Sequence, residues 1–317
     1  MNTAALRVVC GSANPRLTAS VIDHLGVESD GCKVERFPDG ELRPTIDNVC
    51  GADVYVIQST APPVNEHIVE LMLLLDACRR SHAARVTAVL PYFGYARQDR
   101  RTASGQALGV SVVADAIARA GADRMVVVDP HGAALEAQCR IPVESLSAVP
   151  TLAGRLVNEV PEGSVVVAPD LGAAKLAERY AEILHGPVAV VRKQREDGST
   201  VTALDIAGDV SGRPAVVIDD MISTGGTIEA AVELLRRRGA TPDILVAATH
   251  GLFVHDAAGR LRDLELRRVV VADTVEHDET DTLVEVCSIA PVLAAAIGCM
   301  YDDKPVGAAV TQVQGTS

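Results

Sequence analysis

Short β-branched runs alternate with helical stretches along the whole chain, and this alternation limits the fold more than any other feature. It is the pattern of an α/β protein, in which mainly parallel strands are joined by helical crossovers. Runs at 7–10, 54–58, 86–90, 125–129, 164–168, 188–191, 215–218, 244–249 and 269–272 read as strands. Stretches at 15–25, 65–81, 109–120, 149–158, 173–184, 227–238 and 291–297 read as helices. Asn14-Pro15 has the form of an N-cap followed by a first-turn proline. Gly121 and Gly239 stand where helices should stop.

With 317 residues the chain can build two cores of ordinary domain size. A faint internal repeat points the same way. Residues 54–95 run strand, short loop, long helix ending in Cys78-Arg79-Arg80, then strand. Residues 215–252 repeat that order, with Arg236-Arg237-Arg238-Gly239 closing the helix. The first copy carries Ser59-Thr60-Ala61-Pro62-Pro63 where the second has an acidic, glycine-containing loop. Ser147-Ala148-Val149-Pro150 has the makeup of a linker entering a helix. The expected domains are therefore 1–147 and 148–317, with the last helix packing back on the N-terminal domain.

Composition narrows the function. A formal charge of −13 argues against nucleic-acid binding, which rests on a basic surface. No apolar run reaches the ~18–20 residues of a membrane helix; the longest candidate, 68–78, is broken by Glu70 and Asp76. Residues 1–10 lack the apolar core of a secretory signal. Seven cysteines without paired spacing suit reduced, mostly buried thiols and a cytoplasmic location. Neither Gly-x-Gly-x-x-Gly nor a Walker-type loop is present. Against the acidic background, Arg97, Arg100 and Arg101, and then Arg192, Lys193 and Arg195, form local cationic clusters suited to a small polyanion.

The richest segment is Pro214-Ala-Val-Val-Ile-Asp-Asp-Met-Ile-Ser-Thr-Gly-Gly-Thr227. An apolar strand ends at Asp219-Asp220, and a hydroxyl- and glycine-containing loop leads into a helix. Backbone N–H groups of such a loop, with the positive end of the helix dipole, cradle phosphate. The two carboxylates repel phosphate, so they suit sugar hydroxyls or magnesium. A phosphorylated pentose satisfies both halves. Pro91-Tyr-Phe-Gly-Tyr-Ala-Arg-Gln-Asp-Arg-Arg101 follows a strand and combines aromatic and cationic residues at the edge where α/β proteins bind ligands. Phe37-Pro-Asp-Gly-Glu41, Asp129-Pro130-His131 and Ala168-Pro169-Asp170 add carboxylates and an imidazole, and 191–199 reads as a basic, mobile flap.

The acidic loop resembles the 5-phosphoribosyl-1-diphosphate (PRPP) loop of the type I phosphoribosyltransferase fold. Taken in order from Arg7 to about Ile297, the segments resemble the ribose-phosphate diphosphokinase (PRPP synthetase) family. The resemblance implies two tandem phosphoribosyltransferase-like domains, each a mainly parallel sheet flanked by helices, the first a pseudo-duplicate without the PRPP loop. It implies transfer of the β,γ-diphosphoryl group of MgATP to ribose 5-phosphate. By the same resemblance Phe37, Asp39, Gly40, Glu41, Arg97, Gln98 and Asp99 would hold ATP, and His131 and Asp170 would serve Mg2+. Lys193 and Arg195 would be catalytic, and Arg195, Asp219, Asp220, Ser223, Thr224, Gly225, Gly226 and Thr227 would hold ribose 5-phosphate.

Family members lend the 37–41 turn to a neighbouring subunit, implying a dimer-based homo-oligomer, up to a hexamer, with active sites at subunit interfaces. Many members carry Asp where Ser223 stands, some carry Arg-Gly at 50–51, and 102–108 is short, so control by phosphate or ADP is not expected. A PRPP-consuming transferase, a diphosphokinase for another pentose phosphate and a non-catalytic regulatory homologue are the alternatives.

Overall fold

The structure, a computed structural model, describes residues 4–28, 31–196, 200–277 and 282–307; the side chains of 193–196 and 200–204 lie outside that description. Two compact units form. The first takes the chain through Ser147, together with Thr274–Glu276 and the run from Ser288; the second takes Ala148–Asp273 and His277–Cys287.

In the first unit, β1 (Leu6–Cys10), β4 (Asp53–Ile57), β5 (Arg85–Leu90), β6 (Arg124–Val128) and β7 (Val143–Leu146) make an all-parallel sheet in that order. All five residues of β4 are buried, as expected of a strand covered on both faces. Crossovers are made by α2 (Val64–Arg80), α3 (Gly109–Ala120) and the short α4 (Ala134–Gln138). At the start of α1 (Pro15–Leu25), Leu17 N donates to Asn14 Oδ1 at 3.2 Å. Between α1 and β4, β2 (Cys32–Arg36) and β3 (Leu42–Ile46) form a separate antiparallel ribbon. Its polar strands are tied by charge: Lys33 and Arg43 hold the Glu35 carboxyl down at about 2.

The second unit repeats the plan. Parallel strands β8 (Val165–Ala168), β11 (Ala215–Ile222), β12 (Ile244–Gly251), β13 (Arg268–Ala272) and β14 (Val284–Cys287) lie in sequence order, again with an antiparallel ribbon inserted after the first strand. That ribbon, β9 (Val188–Glu196) and β10 (Thr200–Ala207), joins the sheet through β8–β9 pairing. The helices are α5 (Val149–Val157), α6 (Ala174–Leu184), α7 (Gly226–Arg237) and the short α8 (Ala257–Asp263). The unit β4–α2–β5 thus corresponds to β11–α7–β12.

The last helix, α9 (Ala290–Tyr301), belongs to the first unit and packs on α1. Beneath the sheet, the fully buried Asp53 accepts from Arg85 Nε at 3.0 Å and Tyr55 OH at 3.3 Å. Arg124 donates to Tyr55 OH at 2.7 Å, and Arg85 reaches Met300 O near the end of α9 at 3.3 Å. Burial, followed by the Asp53 charge, pushes the Tyr55 phenol above its ordinary range.

Three expectations are corrected. The 215–218 strand runs on to Ile222, because Met221 and Ile222 pair with His250 and Gly251. The strand expected to end at Val191 continues through the basic residues to Glu196, and residues 197–199 of the expected flap lie outside the described residues. The seven cysteines are unbridged, but only Cys78 is fully buried and Cys50 is exposed.

Candidate active site

Two groups of candidate residues follow from these elements, one in each unit. In the second unit β11 carries Asp219 and Asp220 at its carboxyl end, where the strand leaves the core and both residues become half-buried. Asp220 N donates to Asp219 Oδ1 at 2.9 Å. Burial, then the charge and hydrogen bonding of Asp220, push the Asp219 carboxyl up to about 8; Asp170 adds to the same effect.

The chain then turns through Ser223 and Thr224 to Gly225, which caps α7 at φ +79°. That left-handed backbone favours glycine. No side-chain cap hydrogen bond closes the start of α7, as an anion cradle requires. Thr224 and Thr227 are exposed, and Ser223 is half-buried. The back of the loop is fixed by Val254 N donating to Ser223 O at 3.0 Å. Asp170, at the end of β8, accepts from Gly172 N at 2.8 Å and Ala173 N at 3.2 Å through Oδ1, which sets the entry to α6.

In the first unit the corresponding loop, 59–63, is turned inward. Ser59 and Thr60 are fully buried; Ser59 Oγ donates to Thr274 O at 2.5 Å and Thr60 Oγ1 to Tyr92 O at 3.0 Å. Its hydroxyls are spent inside the protein. The neighbouring β5–α3 connection carries Arg97, Gln98 and Asp99. Tyr92 and Phe93, read from sequence as part of a ligand loop, are core residues instead. Gly94 lets the backbone pass close to Thr60 and Val64, since a Cβ there would stand 2.7 Å from Thr60 O. Tyr95 OH donates to Asn65 Oδ1 at 2.6 Å. Arg97 and Gln98 are exposed beyond this anchor, and the Gln98 side chain lies over Gly109 at the start of α3.

His131 follows β6, the next strand, and is exposed. The structure brings its loop beside Asp99: a Cβ on Gly132 would stand 3.3 Å from Asp99 Oδ2, and Gln138 Nε2 donates to Asp99 O at 3.4 Å. Asp129 is held at φ +35° with Ser147 Oγ donating to its Oδ1 at 2.7 Å.

Phe37, Asp39, Gly40 and Glu41 sit elsewhere, on the tip of the β2–β3 ribbon rather than on the five-stranded sheet. Phe37 N donates to Glu41 O at 2.8 Å and Gly40 N to Phe37 O at 2.9 Å, closing the turn. The Phe37 ring is 40% exposed, with the Arg43 guanidinium over it at 5.0 Å from the centroid. Arg36 donates to Gly40 O at 3.1 Å and pairs with Glu66 on α2, a tie between turn and helix that the sequence did not reveal. Lys193 and Arg195 lie on β9, paired with Leu204 and Val201; their side chains lie outside the described ones.

Among the described residues no three or more His, Cys, Asp or Glu side chains converge as a preformed metal cage. Magnesium does not need one, since it commonly takes one or two carboxylates and completes its shell with water and phosphate oxygens. The hard oxygens of Asp219 and Asp220, where burial and then mutual charge raise a carboxyl's proton affinity, fit such a cation.

The raised Asp219 carboxyl has a testable sign. Between its ordinary value near ~3.9 and about 8, the folded protein holds a proton that the unfolded chain has released. Stability therefore falls as pH rises through that window. Urea midpoints of ligand-free wild type and Asp219→Asn should converge at low pH and separate towards neutrality, the variant becoming the more stable. Parallel pH profiles would refute the assignment.

Residues 6–121 match the model described as the N-terminal domain of ribose phosphate pyrophosphokinase, and residues 198–308 match the phosphoribosyl synthetase-associated domain. A ribose-phosphate pyrophosphokinase of Staphylococcus saprophyticus is 38% identical over 309 residues, 96% of each chain. One from Nostoc sp. is 38% identical over 305 residues, 95% of this chain and 92% of its own. The crystal structure of phosphoribosylpyrophosphate synthetase from Mycobacterium smegmatis superposes with a TM-score of 0.88 at 36% identity, covering 94% of this chain and 99% of that one.

Proposed function

Because the chain belongs to the ribose-phosphate pyrophosphokinase family, we propose that this enzyme converts MgATP and ribose 5-phosphate into PRPP and AMP. The observation that carries the reading is the β11–α7 junction: a half-buried acidic pair leads directly to a helix N-terminus that no side chain caps. Together these supply hydroxyl acceptors and a phosphate cradle, the two recognition elements of a pentose 5-phosphate.

In the reaction O1 of the sugar attacks the β-phosphorus. The bond between that phosphorus and the α–β bridging oxygen breaks, AMP departs, and the O1 proton is released. Such transfers depend on positioning and charge neutralisation more than on covalent chemistry. Ser223, Thr224, Gly225, Gly226 and Thr227 hold the sugar phosphate, and Asp219 and Asp220 orient the ribose hydroxyls. Asp39, Gly40, Glu41, Arg97, Gln98 and Asp99 hold the nucleotide, with Phe37 against the adenine. Lys193 and Arg195 meet the charge that develops on the transferring group, Arg195 also contacting the sugar phosphate. His131 and Asp170 serve magnesium, which when bound neutralises phosphate charge.

The exposed Phe37 at the tip of its own ribbon supports a homo-oligomer in which the turn is lent to a neighbouring subunit. A cytoplasmic setting, where both substrates are available, completes the reading.

Incubation with MgATP and ribose 5-phosphate should yield AMP and PRPP in equal amounts. AMP without PRPP, or no turnover with ribose 5-phosphate beside turnover with another pentose phosphate, would overturn the assignment.

A further inference from the structure

The loop from Ser223 to Thr227 contains no cation, yet the first turn of α7 contains an anion, Glu229. A carboxylate in a first turn stabilises the helix through its dipole. It also sets negative charge beside a phosphate that needs the same N-terminus. Arg260, on α8, resolves that conflict. Its guanidinium pairs with Glu229, and its stem packs on the outer side of the glycine turn, where a Cβ on Gly225 would stand 3.3 Å from Arg260 Cδ. The α8 segment is fixed to the same loop by Val254 N on Ser223 O at 3.0 Å, and Glu229 N donates to Gly225 O at 2.9 Å.

We infer that Arg260 is a positioning residue for the phosphate cradle, cancelling the Glu229 charge and bracing Gly225 from behind. The inference rests on the reading of this loop as the ribose 5-phosphate site. Arg260 touches no reacting atom in this scheme, and its effect is confined to sugar-phosphate affinity. Without it, the Glu229 carboxylate faces the phosphate dianion uncompensated. Each side chain of the pair remains about 40% exposed or somewhat less (43% and 34%), so the repulsion is screened and the effect is moderate.

Calorimetric titration of the full chain with ribose 5-phosphate, alongside steady-state kinetics, tests this. Arg260→Gln should weaken ribose 5-phosphate binding about fivefold at low salt, as expected of a screened contact between charges. The KM for MgATP should stay at the wild-type value. Adding Glu229→Gln to that variant should restore affinity, which a purely structural role for Arg260 does not predict. Glu229→Gln alone should bind ribose 5-phosphate at least as tightly as wild type, and this variant carries the test if Arg260→Gln fails to fold.

Wild-type affinity in Arg260→Gln, no recovery in the double variant, or weaker binding by Glu229→Gln would each overturn the inference. Failure of the wild type itself to bind ribose 5-phosphate would instead bring down the sugar-phosphate reading, and this inference with it.

Discussion

Replacing Lys193 with alanine should lower kcat by about 10²- to 10³-fold, the usual cost of deleting one preorganised charge that acts on a transition state. The KM for MgATP should change far less. Lys193 and Arg195 stand two positions apart on β9, paired with Leu204 and Val201 of β10. The ribbon they belong to is anchored to the sheet by β8–β9 pairing at Val166–Val188 through Ala168–Val190 and extends beyond it. On the proposed role, the worth of this cation lies in the transition state rather than in the ground-state complex. Steady-state kinetics with both substrates varied separates the two contributions. Unchanged turnover in Lys193→Ala would remove this residue from the mechanism.

Asp53→Ala should cost about 3 kcal/mol of folding stability, the lower end of what breaking a buried ion pair costs. Asp53 is buried to 1% exposure, and its oxygens satisfy Arg85 and Tyr55 at once. Without it, two arginines and a phenol converge with no central acceptor. Arg85 is itself partly exposed and keeps Asp303 at 3.2 Å, which tempers the loss. Since Arg85 also reaches Met300 O, the docking of α9 should loosen in the same variant. Urea unfolding measures the first effect and amide exchange along α9 the second. A loss below about 0.5 kcal/mol, ordinary for a surface change, would show that the network is dispensable.

Much of this fold was legible because its strands are buried on both faces. Val54, Val56, Val86, Val126, Val165 to Val167 and Val269 to Val271 form continuous apolar runs that polar helices punctuate. The elements that escaped reading lack that signal. The strands β2 and β3 are half-exposed, with Lys33, Glu35 and Arg36 on the first and Arg43 reaching across from the second to Glu35. The short β14 alternates around Glu285, which Arg155 and Arg268 hold below the usual carboxylate range despite its partial burial. The helices α4 and α8 have five and seven residues, too few for a 3.6-residue period to register.

At the site, the acidic pair and the glycine turn were readable because one short segment contains strand, loop and helix start. Arg260 and Glu66 were not, since each meets its partner only after the chain has folded. The aromatic loop misled in part: Tyr92 and Phe93 look like ligand contacts in a chain poor in aromatics, but they fill the core.

Transplanting the Gly225 turn into the first lobe faces an obstacle. Thr60 clasps the carbonyl of Tyr92 while receiving the amide of Gly94 at 2.6 Å, so it is the fastener of the very stretch that presents Arg97 to Asp99. Swapping it out would unfasten the 92–94 backbone that leads into Arg97 to Asp99. At this position the two copies of the strand–helix–strand plan are therefore not interchangeable.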